Sequence, residues 1–224
     1  LLTKNFLLYI LKQTRKNKLL SFNELSELSL TEIDEACRKG LIKFNGDKIY
    51  VNSFNRLTIA VEAVNLGVDF EKISRLLDWR EFEEFSSIIL EHNEYSTFKR
   101  FIFKDVENKK WEIDVLGVKE PIILCLDCKG WRFGWYKSKV ASAAEKHFKR
   151  VEAFSKALPN FALKLNIKKN KNFTILPLII TLADVHYKSL NGSLIVPILR
   201  FKRFLYELPE AFFAEFNLGI KAST

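Results

Sequence analysis

The chain has 224 residues and a formal net charge of +9, with 28% charged and 48% hydrophobic positions. That length gives two small domains room for a core each, and the basic balance points to a polyanionic partner. Three cysteines, no secretory-leader pattern and no apolar run approaching a membrane span exclude a disulfide-stapled scaffold and a transmembrane helix, and set the expectation of a reducing, cytoplasmic setting.

Residues 1–68 read as a separate domain. Apolar residues at 6, 7, 10 and 11 predict a first helix over 5–13. Ser21 and Glu24 have the spacing of a capping box and predict a short helix to about residue 29. Residues 31–40 begin on a cap residue, Thr31, and end at Gly40, predicting a third helix. Asn45-Gly46-Asp47 between the short apolar runs 41–44 and 48–51 predicts a hairpin. Three helices and a hairpin resemble a winged helix, with residues 31–39 in the recognition position. Ten basic and seven acidic residues lie in 1–68, and the third helix carries Glu32, Asp34 and Glu35. Two roles therefore stay open for this domain: contact with DNA, or contact with a protein partner, a second copy of the chain included. A linking helix is predicted over 55–66, and a second domain over 69–224.

In that second domain, apolar residues at 82, 85, 88 and 89 predict an amphipathic helix within 78–95. Glu83 and Glu84 flank the stripe, with Glu81 and Glu91 further round. A meander of strands follows at 97–104, 110–118 and 121–128. Asp114 falls in the second strand and Asp127-Cys128-Lys129 ends the third, thirteen residues later. Alternate residues of a strand share a face, so Asp127 and Lys129 point one way and Cys128 the other. Carboxylates in apolar runs are costly to bury unless paired or bound to metal. Two carboxylates and a lysine at a sheet end describe a divalent-cation site with a positioned base or charge. Cys125 and Cys128 have C-x-x-C spacing, but three residues along a strand they face opposite ways and read as buried strand cysteines.

A helix is predicted over 138–158, with Val140, Ala144, His147, Val151 and Phe154 on its apolar stripe. Ten Lys or Arg and only two Glu lie between Lys137 and Thr174. Lys137, Lys139, Lys146, Lys149 and Arg150 are the candidate contacts to a nucleic-acid backbone. Trp131, Phe133, Trp135 and Tyr136 could stack on bases or close the core. Apolar runs at 173–182 and 194–199 predict parallel strands buried on both faces, and 202–216 a closing helix.

The helix acid, the strand Asp114 and the (D/E)-x-K formed by Asp127 and Lys129 resemble the PD-(D/E)XK nuclease superfamily. Phe82-Glu83 with the later Tyr95 is similar to Mrr-type restriction endonucleases, and the thirteen-residue step to archaeal Holliday-junction resolvases. The resemblance covers roughly residues 78–200. Asp127 stands where Glu is commoner, and Asn93-Glu94 replaces a glycine turn, which leaves Glu83 and Glu84 as alternatives for the helix acid. The resemblance implies an α/β fold, a restriction-endonuclease-like mixed sheet flanked by helices, behind the winged-helix domain. It implies a metal-dependent endonuclease acting on DNA, with Mg²⁺ or Mn²⁺ held by Asp114, Asp127 and the Cys128 carbonyl. Glu83 is then an outer ligand, Lys129 orients or deprotonates the attacking water, and Glu84 or His147 supports the site. Two other functions fit the same residues: a non-catalytic DNA-binding or regulatory protein, and a nuclease directed at RNA or at a special structure such as a junction.

Overall fold

The computed structural model describes residues 1–26, 28–45, 48–69, 72–73, 75–129, 137–168, 170–181, 189–208 and 219–224. They fall into two units, Leu1–Phe85 and Ser86–Thr224. The division lies inside one helix, Trp79–His92 (α4).

The first unit opens with α1 (Lys4–Asn17), whose first turn is capped by the Thr3 hydroxyl accepting from the Phe6 N–H at 3.2 Å. The Ser21 N–H donates to the Glu24 carboxylate at 2.8 Å, so the capping box is present. It opens a 3₁₀ turn, Phe22–Leu25, instead of the expected short helix. The chain then closes in an i→i−3 pattern, Ser26 N–H to Asn23 O, and restarts at Ser29 as the cap of α2 (Leu30–Arg38). A strand that periodicity did not reveal, β1 (Leu19–Ser21), pairs antiparallel with β3 (Lys48–Tyr50), which pairs with β2 (Lys43–Asn45). The turn residues Gly46 and Asp47 lie outside the described residues. Helix α3 (Ser53–Asn65) starts at Asn52, whose side chain accepts from the Asn55 N–H at 2.7 Å.

Arg56 of α3 is the largest fully buried side chain among the described residues. Its guanidinium donates to Glu81 Oε1 at 2.6 Å, to the Leu11 carbonyl at 2.7 Å, to the Leu76 carbonyl at 2.5 Å and to the Thr14 hydroxyl. Hydrogen bonds from all three of its nitrogens are what make this buried guanidinium tolerable.

The second unit is α/β. Among the described residues its mixed sheet has seven strands, in the order β4 (Ser96–Lys104), β5 (Lys110–Lys119), β6 (Ile122–Lys129), β7 (Asn172–Thr181), β9 (Ser193–Pro197), β8 (Ser189–Leu190), with β10 (Ile220–Ser223) added beside β7. Strands β4, β5 and β6 form the antiparallel meander. After the long helix α5 (Lys137–Ala157), β7 runs parallel to β6, and β9 parallel to β7. Strand β8 pairs antiparallel with β9. Pro177 survives in a central strand for a local reason. One edge of β7 is shared between β10, paired with residues 172–175, and β9, paired from residue 178 onward. Pro177 falls between those two ladders, where no N–H is required on that edge.

The core between sheet and α5 joins Phe101, Ile113, Cys125 and Phe173 to Val151 and Phe154. Gly117 lets the second half of α4 approach β5: a Cβ there would lie 3.0 Å from Leu90 Cδ1. The final strand run ends earlier than expected. Ile198 already opens α6 (Ile198–Tyr206), which stops short of Glu207 and Leu208; positions 209–216 of the expected closing helix lie outside the described residues.

Candidate active site

The thirteen-residue step between Asp114 and Asp127 is a consequence of hairpin register. Strands β5 and β6 pair from Lys119↔Ile122 to Val115↔Leu126, and the same register sets Asp114 opposite Asp127. There the backbone ladder stops. The Cys128 N–H donates to Asp114 Oδ2 at 2.7 Å, a side chain taking over as acceptor where the strands part. On the other side of Asp114 the β4–β5 ladder skips Arg100, which has φ +51° in mid-strand.

Asp127 and Lys129 share the face toward α5, as strand alternation requires. Lys129 Nζ lies 2.9 Å from Asp127 Oδ2, and Arg150 Nη1, from α5, lies 2.9 Å from Oδ1. The Asp127 side chain is 3% exposed, Arg150 21% and Lys129 35%. Burial by itself raises the Asp127 carboxyl, but His147, Lys129 and Arg150 outweigh it and hold it below its usual value. Asp114 goes the other way: burial, then the negative charge of Asp127, raise its carboxyl despite the Cys128 N–H. Cys128 lies on the opposite face, its Sγ 3.8 Å from the Ser86 hydroxyl of α4. Cys125, three residues back, belongs to the core beneath α5.

Helix α5 sorts the basic residues by face. Val140, Ala144, His147, Val151 and Phe154 are buried, the stripe expected from the sequence. His147 Nε2 lies 2.9 Å from the Cys125 carbonyl, and burial first, then Arg150 and Lys129, lower its pKa to about 4. The imidazole is therefore neutral at ordinary pH. Next to this stripe, Lys139, Ser142, Lys146 and Arg150 line a cavity of about 480 Å³ that also takes in Ser138, Asp127 and Lys129. Four cations and one carboxylate make it an anion site. Ser138 and Ser142 were absent from the sequence reading. Their signal was available, since they lie within one helical face of Lys139, Lys146 and Arg150.

The structure does not bring every expected residue to this cavity. Lys149 lies on another face, bonded to Glu145 at 2.7 Å. Of the Lys137 side chain, and of Trp131, Phe133, Trp135 and Tyr136, nothing is described. Glu83 and Glu84 belong to the first unit, Glu83 buried and Glu84 half-buried. The inward face of α4 is not the stripe of 82, 85, 88 and 89. Phe85, Ile88 and Ile89 are half-buried, whereas Glu81, Phe82, Glu83, Ser86, Ser87 and Leu90 are buried. Polar residues can face inward where they find partners, as Glu81 does in Arg56.

Among the described residues, no helix is long and apolar enough to cross a membrane, and no group of three or more His, Cys, Asp or Glu converges as metal ligands. No family model matches the sequence. An uncharacterized protein of Archaeoglobus fulgidus is 34% identical over 140 residues, spanning 62% of this chain and 97% of that protein. The chain belongs to that protein's family. Among solved structures, protein VC1899 from Vibrio cholerae aligns over 94% of this chain and 51% of its own, at 14% identity and a TM-score of 0.38. Can2 from Sulfobacillus thermosulfidooxidans, in complex with cyclic tetra-adenylate, aligns over 91% of this chain and 50% of its own, at 12% identity and a TM-score of 0.38. The chain thus spans about half the length of these two structures.

Proposed function

We propose that the second unit is a divalent-metal-dependent endonuclease that hydrolyses DNA phosphodiester bonds. One observation carries this reading: Asp127, with Asp114 opposite it on the neighbouring strand, lines a cavity together with Lys129, Lys139, Lys146 and Arg150. The donor set fits Mg²⁺ or Mn²⁺. Two neighbouring carboxylates, one raised by burial and then by the charge of the other, are what a dication neutralises, and Mg²⁺ takes one or two carboxylates with water in its remaining positions. Asp114 and Asp127 would hold the ion, joined by the Cys128 carbonyl, and the bound ion would supply a water of lowered pKa and offset phosphate charge.

The remaining steps belong to the chain's own residues. Lys139, Lys146, Ser138 and Ser142 bind the sugar-phosphate backbone in the cavity. Lys129, held on the same strand face as Asp127, orients the attacking water as an ammonium donor and stabilises the hydroxide that forms. Neutral His147 fixes the α5–β6 spacing through Cys125. The sequence resemblance assigns the helix acid to Glu83, with Glu84 as the alternative. The first unit, with its helices and β1-β3-β2 sheet, is the winged-helix-like element that meets DNA, a protein partner or a second copy of the chain.

A second reading has one observation in its favour. Asp127 is already neutralised by Lys129 and Arg150, which suits a non-catalytic DNA-binding protein that kept the fold. Cleavage of labelled duplex, single-stranded, flap, junction and RNA substrates in Mg²⁺ or Mn²⁺ separates the two. The nuclease reading expects cleavage by wild type, loss in Asp114→Ala and in Lys129→Ala, and binding retained in both. Glu83→Gln and Glu84→Gln assign the helix acid. Binding without cleavage in wild type gives the non-catalytic reading, and cleavage of RNA or of one special structure alone renames the substrate.

A further inference from the structure

Arg150 occupies two places at once. Its Nη1 lies 2.9 Å from Asp127 Oδ1, and its side chain lines the cavity alongside Lys139 and Lys146. With Lys129 Nζ 2.9 Å from Oδ2 and 3.1 Å from Oδ1, Asp127 is met by two cations before any metal arrives. A dication that takes Asp127 must therefore displace one of them or share the carboxylate with it. Lys129 is tied to Asp127 by strand alternation, only two residues along β6. Arg150 comes from α5 on a long side chain, and its planar fork suits a phosphate as well as a carboxylate.

We propose that Arg150 is a displaceable guard of Asp127: a phosphate group entering the cavity takes over its guanidinium, and the freed carboxylate then binds the divalent cation. This rests on the reading of Asp114 and Asp127 as the cation's ligands. The exchange keeps Arg150 paired with an anion throughout, so neither state leaves a half-buried charge alone. Metal and phosphate then bind cooperatively, each tightening the other by the same factor. Divalent cation alone then leaves the site unloaded until a phosphate backbone arrives, which confines hydrolysis to bound substrate.

The test is calorimetric titration of Mn²⁺ into the full chain, with and without saturating thymidine 3′,5′-bisphosphate, corrected for ion held by free bisphosphate. Wild type, Arg150→Met and Arg150→Lys are compared, with thermal melts to establish folding. The expected wild-type result is Mn²⁺ affinity raised about tenfold or more by the bisphosphate, within the usual range of such coupling. Arg150→Met is expected to bind Mn²⁺ about tenfold more tightly on its own and to lose most of the enhancement. Arg150→Lys, which keeps the charge, is expected to retain part of it and covers the case in which the methionine variant does not fold. Equal Mn²⁺ affinity and equal enhancement in all three proteins would overturn the guard and leave the metal site standing. No Mn²⁺ binding in any of them, with or without bisphosphate, would overturn the metal site itself.

Discussion

Asp114 and Asp127 face each other across one strand pair, yet the protein pushes their carboxyls in opposite directions. Asp127 is the more buried, and still lies lower, because Lys129 and Arg150 supply the positive charge that burial removes with water. His147 shows the reverse balance. Its Nε2 faces a carbonyl at 2.9 Å, so Nε2 carries the proton, and Nδ1 is buried without a hydrogen-bond partner. Protonation at Nδ1 would bury a charge without a hydrogen-bond partner; burial, helped by Arg150 and Lys129, outweighs the pull of Asp127 and gives a pKa of about 4. The folded value lies below the unfolded one, so the unfolded chain binds more protons in between. The contribution of His147 to stability is thus complete above about pH 6.5 and is lost as pH falls toward 4, an amount of about 3 kcal/mol. Denaturant unfolding of wild type and His147→Gln at several pH values between 4.5 and 7.5 checks this. The variant is expected to show a flatter pH dependence, and parallel curves for the two proteins would sink the assignment.

At the scale of elements, what the sequence disclosed was periodic and what it hid was paired at a distance. The three strands of the meander, helix α5 and the parallel β7 each carry an alternation or stripe, and each formed within one or two residues of its expected place. The Asp127–Lys129 face was legible for the same reason. The inward face of α4 was not, because Glu81 is buried through Arg56, twenty-five residues earlier, and no local pattern reports that. Strands β1 and β10, three and four residues long, are too short to alternate and exist only through their partners β3 and β7. The Arg56–Glu81 pair has a measurable consequence. Removing one partner strands a buried charge, so Arg56→Met and Glu81→Gln are each expected to destabilise by about 3–5 kcal/mol. The double variant leaves no uncompensated charge and is expected to cost clearly less than the sum of the singles. A double-mutant cycle by denaturant unfolding measures the difference, and simple additivity would mean that the two groups act independently.

Across the whole molecule, the net charge of +9 says that a polyanion is a plausible partner but not where it binds. The structure divides the basic residues of α5 into two sets that composition cannot separate. Lys139, Lys146 and Arg150 line the cavity beside Asp127, while Lys149 pairs with Glu145 on another face. If the polyanion runs through the cavity, only the first set releases counterions when it binds. Each phosphate contact contributes about 0.9 to the slope of log affinity against log salt on duplex DNA. Lys139→Ala and Lys146→Ala are therefore each expected to weaken DNA binding and to lower that slope by about one. Lys149→Ala removes the same formal charge and is expected to leave the slope unchanged, since its ammonium is already matched by a carboxylate. Fluorescence anisotropy with a short labelled duplex, from low to moderate salt, reads all three. An equal loss in the three variants would mean that affinity follows net charge alone, and that the cavity is not the path of the backbone.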